Sequence, residues 1–230
     1  MLNSHKNPIK TKLLYLPPME LLSDELTNYL ESHCDNESEL LKYINRETHL
    51  KVLKPRMLSG HYQGRILSMM SMLVNPSRIL ELGTFTGYAT ICLAEGLPEN
   101  GIIHTIDINK ELEETARINF EKSSYNSKIK YHLGDATEII PTLKEVFDLV
   151  FIDADKKNNA AYYDLVFDKV RSGGIIIVDN VLWSGKVLSL KETDPNTFNI
   201  NKFNKKVTDD PRVEKLILPV RDGLFIIRKK

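Results

Sequence analysis

Two short segments, FDLVFIDAD over 147–155 and GGIIIVDN over 173–180, carry the side chains best suited to chemistry. Each is an almost unbroken apolar run that ends in acid or amide groups. Val- and Ile-rich runs of this length read as strands buried on both faces of a parallel sheet. Ligands of such sheets sit beyond the carboxyl ends of the strands. Asp153, Asp155, Asp179 and Asn180 are therefore expected to converge on one edge. Oxygen ligands of this kind suit Mg²⁺, Mn²⁺ or Ca²⁺ better than zinc. Lys156, shortly after Asp153, is placed to take a proton from a bound hydroxyl. Plainer readings stand beside these. Asp153 and Asp155 could cap the following helix, Asp179-Asn180 could form a turn, and Lys156 and Lys157 could be a solvated pair.

The elements that must position these residues are legible from texture. Up to about Leu73 the chain reads as helical, with Ser23 and Ser38 as candidate N-caps. From Arg78 strands and helices alternate: RILELG, then the helix YATICLAEGL; GIIHTIDI, then the helix LEETARINFEKS; KIKYHLGDA, and then the two strands above. That alternation predicts a doubly wound, mostly parallel sheet with right-handed crossovers, in a single domain over 1–230 with an N-terminal helical part to 73 and a sheet core from 78. At the end, VEKLILPV and LFIIRKK flank Arg221-Asp222-Gly223, which predicts a hairpin and one antiparallel strand. Ser184–Asn204 is polar and long, and is expected to be a loop or lid over the site. Lys202, Lys205 and Lys206 are expected to be a solvated helix face.

After the first strand comes Glu81-Leu82-Gly83-Thr84-Phe85-Thr86-Gly87. Glycine there allows a tight turn and close approach of a ligand to the backbone. The pattern is a poor GxGxxG, so a nucleoside without a pyrophosphate fits better than a dinucleotide. Asp107 ends the second strand, where an acid can accept from ribose hydroxyls, and Gly134-Asp135-Ala136 ends the third, where a purine could lie. Singly, each has a structural reading: a strand–helix turn, a loop acid, a helix cap at Asp135. Three successive strand ends with the expected residue types favour a nucleoside site.

Composition bounds the rest. The 230 residues suffice for one sizeable core. Lys plus Arg and Asp plus Glu each number 31, which argues against a global basic field for nucleic acid or membrane. No run approaches a membrane span, and Met1–Lys12 lacks the apolar core of a signal peptide. Cys34 and Cys92 have no CxxC spacing, so a reducing cytoplasm is the expected location.

Together ELGTFTGYATICLAEGLP, TIDIN, GDA, FDLVFIDADKKNN, GGIIIVDNVLWSGKV, FNKKV and DGLFIIRKK resemble the metal-dependent catechol and caffeoyl-CoA type O-methyltransferases, from about Ser38 to the C-terminus. The resemblance implies S-adenosylmethionine (SAM) as methyl donor, a divalent cation (Mg²⁺ first), a seven-stranded Rossmann-like sheet with its last strand antiparallel, and a homodimer. It matches Ser59, Glu81, Gly83, Thr84, Asp107, Asp135, Ala136 and Asp155 to the donor site. Asp153, Asp179 and Asn180 match metal ligands, and Lys156 a general base. Ala89 departs, standing where a serine commonly contacts the donor. Trp183 is expected to wall the acceptor pocket, His61 and Tyr62 to lie on the donor side, and the first dozen residues to lie where an acceptor pocket is often completed. The implied reaction is methylation of a small vicinal-dihydroxy aromatic. Competing readings are methylation of a hydroxylated tRNA uridine, a nicotinamide-dependent oxidoreductase, and a non-catalytic SAM-binding module.

Overall fold

The computed structural model describes residues 22–189 and 194–230. The first dozen residues, and 190–193 of the expected lid, lie outside the described residues. Ser23 and Ser38 cap α1 (Asp24–Ser32) and α2 (Glu39–Lys51), their hydroxyls accepting from the amides of Leu26 and Leu41. A single 3-10 turn at Pro55–Met57 leads into α3 (Gly60–Val74), which stops at Asn75 in the left-handed region. These helices come before the sheet.

The sheet has seven strands: β1 (Arg78–Leu82), β2 (Ile102–Asp107), β3 (Ile129–Leu133), β4 (Phe147–Ile152), β5 (Val170–Asp179), β6 (Val213–Leu218) and β7 (Leu224–Lys229). Their order is β3-β2-β1-β4-β5-β7-β6. Strands β1 to β5 pair in parallel, while β7 runs antiparallel to both β5 and β6. The expected doubly wound sheet and closing antiparallel strand are both present. The hairpin forms because Val213–Leu218 and Leu224–Lys229 flank a turn that Gly223 (φ +90°) can take.

Crossovers are α4 (Tyr88–Ala94), α5 (Glu113–Glu121), α6 (Ala136–Thr142), α7 (Asn159–Phe167) and α8 (Pro195–Asp209). Two apolar cores result. One joins Leu80, Val150, Ile152, Ile176 and Val178 to Tyr163, Phe167 and Phe203 on α7 and α8. The other joins Ile79, Leu149, Phe151 and Ile177 to Leu41, Leu67, Ile91 and Phe120 on α2, α3, α4 and α5. Alternate residues of β4 thus feed opposite cores, as period-two geometry requires. Fully burying each such side chain stabilises by roughly 1.5–3 kcal/mol, which holds the strand ends rigid for the site. One expectation is corrected here: 195–204 is not loop but the first ten residues of α8, started by Asp194 capping the Asn196 amide and by Pro195. The apolar period of Ile200, Phe203 and Val207, all buried, explains it. Among the described residues no helix is long and apolar enough to cross a membrane.

Candidate active site

The carboxyl ends of β1, β2, β4 and β5 and the turn after β3 open onto one cavity of about 1670 Å³. Its donor-type end is built from turns. Gly83 sits at φ +101°, and a Cβ there would collide with the Asp153 carbonyl oxygen. Gly83 also donates its amide to Ile106 O at 2.9 Å. Phe85 takes φ +52° and donates its amide to Asp107 Oδ2 at 2.7 Å, while the Asn109 amide reaches Oδ1 at 2.8 Å. Both Asp107 oxygens are therefore fixed by backbone and keep lone pairs for a diol. Asp135 caps α6 through the Thr137 amide at 2.7 Å and also lines the cavity, so the plain reading and the functional one coexist.

The acid end is made by β4 and β5. The Asp153 amide continues the sheet to Leu82 O at 2.8 Å, and Lys156 Nζ donates to Asp153 Oδ1 at 2.8 Å. Lys156 is 13% exposed at its side chain, not a solvated surface lysine. Asp155 Oδ1 accepts from the Tyr162 hydroxyl at 2.5 Å and gives no side-chain cap to the following turn. Asp179 is 3% exposed. Its Oδ1 accepts from the Asn180 amide at 2.6 Å and its Oδ2 from Gln63 Nε2 at 2.7 Å. Burial first, and then the nearby charge of Asp153, push the Asp179 carboxyl up, against the pull of Lys156. Asn180 sits at φ +61°. Trp183 lines the cavity while its indole N–H donates to Asp194 Oδ2 at 2.8 Å.

An O-methyltransferase family model matches residues 31–230. Caffeoyl-CoA O-methyltransferase 5 of Nicotiana tabacum is 32% identical over 223 residues, covering 91% of this chain and 92% of that protein. The chain belongs to the O-methyltransferase family. Caffeoyl-CoA O-methyltransferase 1 of Arabidopsis thaliana is 33% identical over 226 residues, covering 91% of this chain and 86% of that protein. Among solved structures, the O-methyltransferase TomG of Streptomyces achromogenes in complex with SAM superposes with a TM-score of 0.83 at 27% identity, covering 90% of this chain and 96% of that one. An O-methyltransferase from Bacillus cereus in complex with SAH gives 0.82 at 29% identity, over 88% and 96%. The protein is a SAM-dependent O-methyltransferase.

In this methyltransferase Gly83, Asp107, Asp135, Ala136, Asp153, Asp155, Lys156, Asp179, Asn180 and Trp183 all line the one cavity. Glu81, Thr84 and Ser59 do not. Glu81 and Thr84 lie behind the glycine turn in a buried network: the Thr90 and Thr105 hydroxyls donate to Glu81 Oε2, the latter at 2.6 Å, and Thr84 Oγ1 meets Thr105 Oγ1 at 2.5 Å. Ser59, His61 and Tyr62 line a neighbouring cavity of about 700 Å³. Ala89 is buried in the second core.

Two residues were not foreseen. Gln63 reads as one polar position on an amphipathic helix, and nothing local signals its contact with Asp179. Arg221 donates to the carbonyls of Leu58 at 2.8 Å, Ser59 at 2.5 Å and Arg56 at 3.1 Å, tying the last hairpin to the entry of α3. Its place beside Asp222-Gly223 in the expected turn is the one sequence signal that could have marked it.

The residues fit both groups that the sequence resemblance implies, the methyl donor and a divalent cation. The Gly83 cradle, the twice-anchored Asp107 and the apolar faces of Phe85, Ile108 and Ala136 suit an adenosine. Among the described residues no three His, Cys, Asp or Glu converge on a metal. The candidate set instead joins two carboxylates to the Asn180 amide. A buried carboxylate disfavoured by a second one is the environment a divalent cation relieves.

Proposed function

We propose that the enzyme methylates a hydroxyl of a small vicinal-dihydroxy aromatic acceptor, aided by a divalent cation at Asp153, Asp179 and Asn180. The observation that carries this reading is the buried Asp179 beside Asp153 and Lys156, in the same cavity as the nucleoside-type cradle. Two relatives named caffeoyl-CoA O-methyltransferases support the acceptor class, since a caffeoyl group bears adjacent phenolic hydroxyls.

SAM supplies an electrophilic methyl on a sulfonium sulfur, and the cation supplies charge stabilisation for a phenolate together with a template for two adjacent oxygens. The chain's own residues do the rest. Gly83, Ala136 and Asp155 shape the donor pocket, and Asp107 accepts from the ribose hydroxyls. Lys156 removes the acceptor's proton. The C–S bond breaks as the C–O bond forms, giving a methyl ether and a neutral thioether. Trp183 borders the acceptor and limits water there. We assign a homodimer as the working form, to be measured by light scattering.

The test is methyl transfer from labelled SAM to a panel of catechols and caffeoyl esters, with and without EDTA. Transfer that EDTA abolishes and Mg²⁺ restores is the expected result. Transfer only to RNA carrying a hydroxylated uridine would overturn the acceptor, and EDTA-insensitive transfer would overturn the cation.

A further inference from the structure

We propose that Gln63 is a positioning residue that fixes the Asp179 carboxylate for cation binding; the inference rests on the cation reading above. Gln63 stands in the first turn of α3, 116 residues from Asp179 in sequence, and is fully buried. Its Nε2 donates to Asp179 Oδ2 at 2.7 Å. The other oxygen, Oδ1, is held by the Asn180 amide at 2.6 Å. A carboxylate pinned at both oxygens has its plane set, and one lone pair on each oxygen remains. Those two lone pairs then have a single direction in which to meet a cation.

The cost to the fold is visible on the same side chain. An ionised carboxylate only accepts, so the amide end facing Asp179 must be the NH₂, and Oε1 faces away. Oε1 is buried and has no hydrogen-bond partner. A residue selected for packing alone on this helix would be apolar, because a buried orphan carbonyl destabilises. The bond to Asp179 is the one hydrogen bond this side chain makes among the described residues. Ligand-orienting hydrogen bonds of this kind recur around metal sites, where their removal weakens metal binding without touching a ligand.

The test compares the parent with Gln63→Leu and Gln63→Met, titrating each donor-free protein with Mn²⁺ and following free Mn²⁺ by electron paramagnetic resonance. Thermal melting and SAM affinity are measured on the same samples. The expected result is a Kd for Mn²⁺ raised about 10–100-fold in both variants, with SAM affinity kept and melting temperature unchanged or higher. If Gln63→Leu melts early, Gln63→Met decides, since it keeps the length and loses only the amide. Parent-like Mn²⁺ affinity in a variant that melts with the parent overturns the proposal alone. Absence of Mn²⁺ binding in the parent overturns the cation reading, and the proposal with it.

Discussion

Glu81 is fully buried, and burial pushes its carboxyl up to about 8 from 4.5, the charges of Asp153 and Asp107 adding to the effect and the Thr105 and Thr90 hydroxyls opposing it. The physical cause is visible: both hydroxyls serve Oε2, while Oε1 has no partner. Because the folded value is raised, the native state keeps a proton that the unfolded chain has released. Stability from this group is complete below about pH 4.5 and is lost as pH rises towards 8. The slope is about 1.4 kcal/mol per pH unit, and the full span is on the order of 5 kcal/mol. Glu81→Gln removes the titration. Its amide nitrogen takes the place of the orphan oxygen, at a fixed cost of about 1–3 kcal/mol that does not vary with pH. Urea unfolding of parent and variant, from about pH 5.5 to about pH 8.5 at constant ionic strength, reads the difference. The parent is expected to lose about 3 kcal/mol relative to the variant between about pH 5.5 and pH 8, and then to level off. Two curves that stay parallel across that range would refute the argument.

Asp153→Ala is expected to abolish turnover while SAM affinity, measured by calorimetry, stays within about threefold, because Asp107 and the glycine turn are untouched. Equal activity of variant and parent at saturating Mg²⁺ would count against the cation site. Lys156→Ala is expected to lower kcat by about 10²–10⁴-fold with KM little changed, and added primary amines should restore part of the loss. A loss confined to KM would assign Lys156 to binding instead. Arg221→Gly relieves a left-handed residue worth about 1–2 kcal/mol but removes three hydrogen bonds to the 56–59 strap, each worth about 0.5–1.5 kcal/mol, so the melting temperature is expected to hold or fall. The KM for SAM should then increase about tenfold, and an unchanged KM would show that the strap needs no such tie.

Much of the scaffold was legible because its signals are local. β4 and β5 announce themselves by buried apolar runs, Ser23 and Ser38 by hydroxyls ahead of amphipathic stretches, and the final hairpin by Asp222-Gly223. Strand ends then carry their acids to one edge by topology alone, which is why Asp107, Asp153 and Asp179 meet in one cavity. Where the reading failed, the cause was non-local. The start of α8 hides in a polar stretch, because its buried face of Thr197, Ile200, Phe203 and Val207 is spaced among Asn and Lys. Glu81 follows an apolar run on a strand end much as Asp107 does, yet its side chain turns inward to two threonines and not to the cavity. Gln63 and Arg221 act across more than a hundred residues of sequence, a distance no motif encodes.

The backbone of the site is itself informative. Six non-glycine residues among those described take positive φ: Asn75, Phe85, Asn180, Trp183, Ser184 and Arg221. All but Asn75, which ends α3, line the large cavity. A side chain in the left-handed region costs about 1–2 kcal/mol per residue, and a fold free of other duties would place glycine at such turns. Each of the five makes a contact there, Phe85, Asn180 and Ser184 through a backbone amide and Trp183 and Arg221 through a side chain that glycine lacks. Phe85 brings its amide to Asp107, Asn180 brings its amide to Asp179, and Trp183 reaches Asp194. The Ser184 amide meets Asp222, and Arg221 spans to the α3 entry. Strain concentrated in this way persists only where packed strands over-determine it. The two apolar cores beneath β4 and β5 therefore serve the chemistry by holding an edge whose backbone would relax if the sheet were softer.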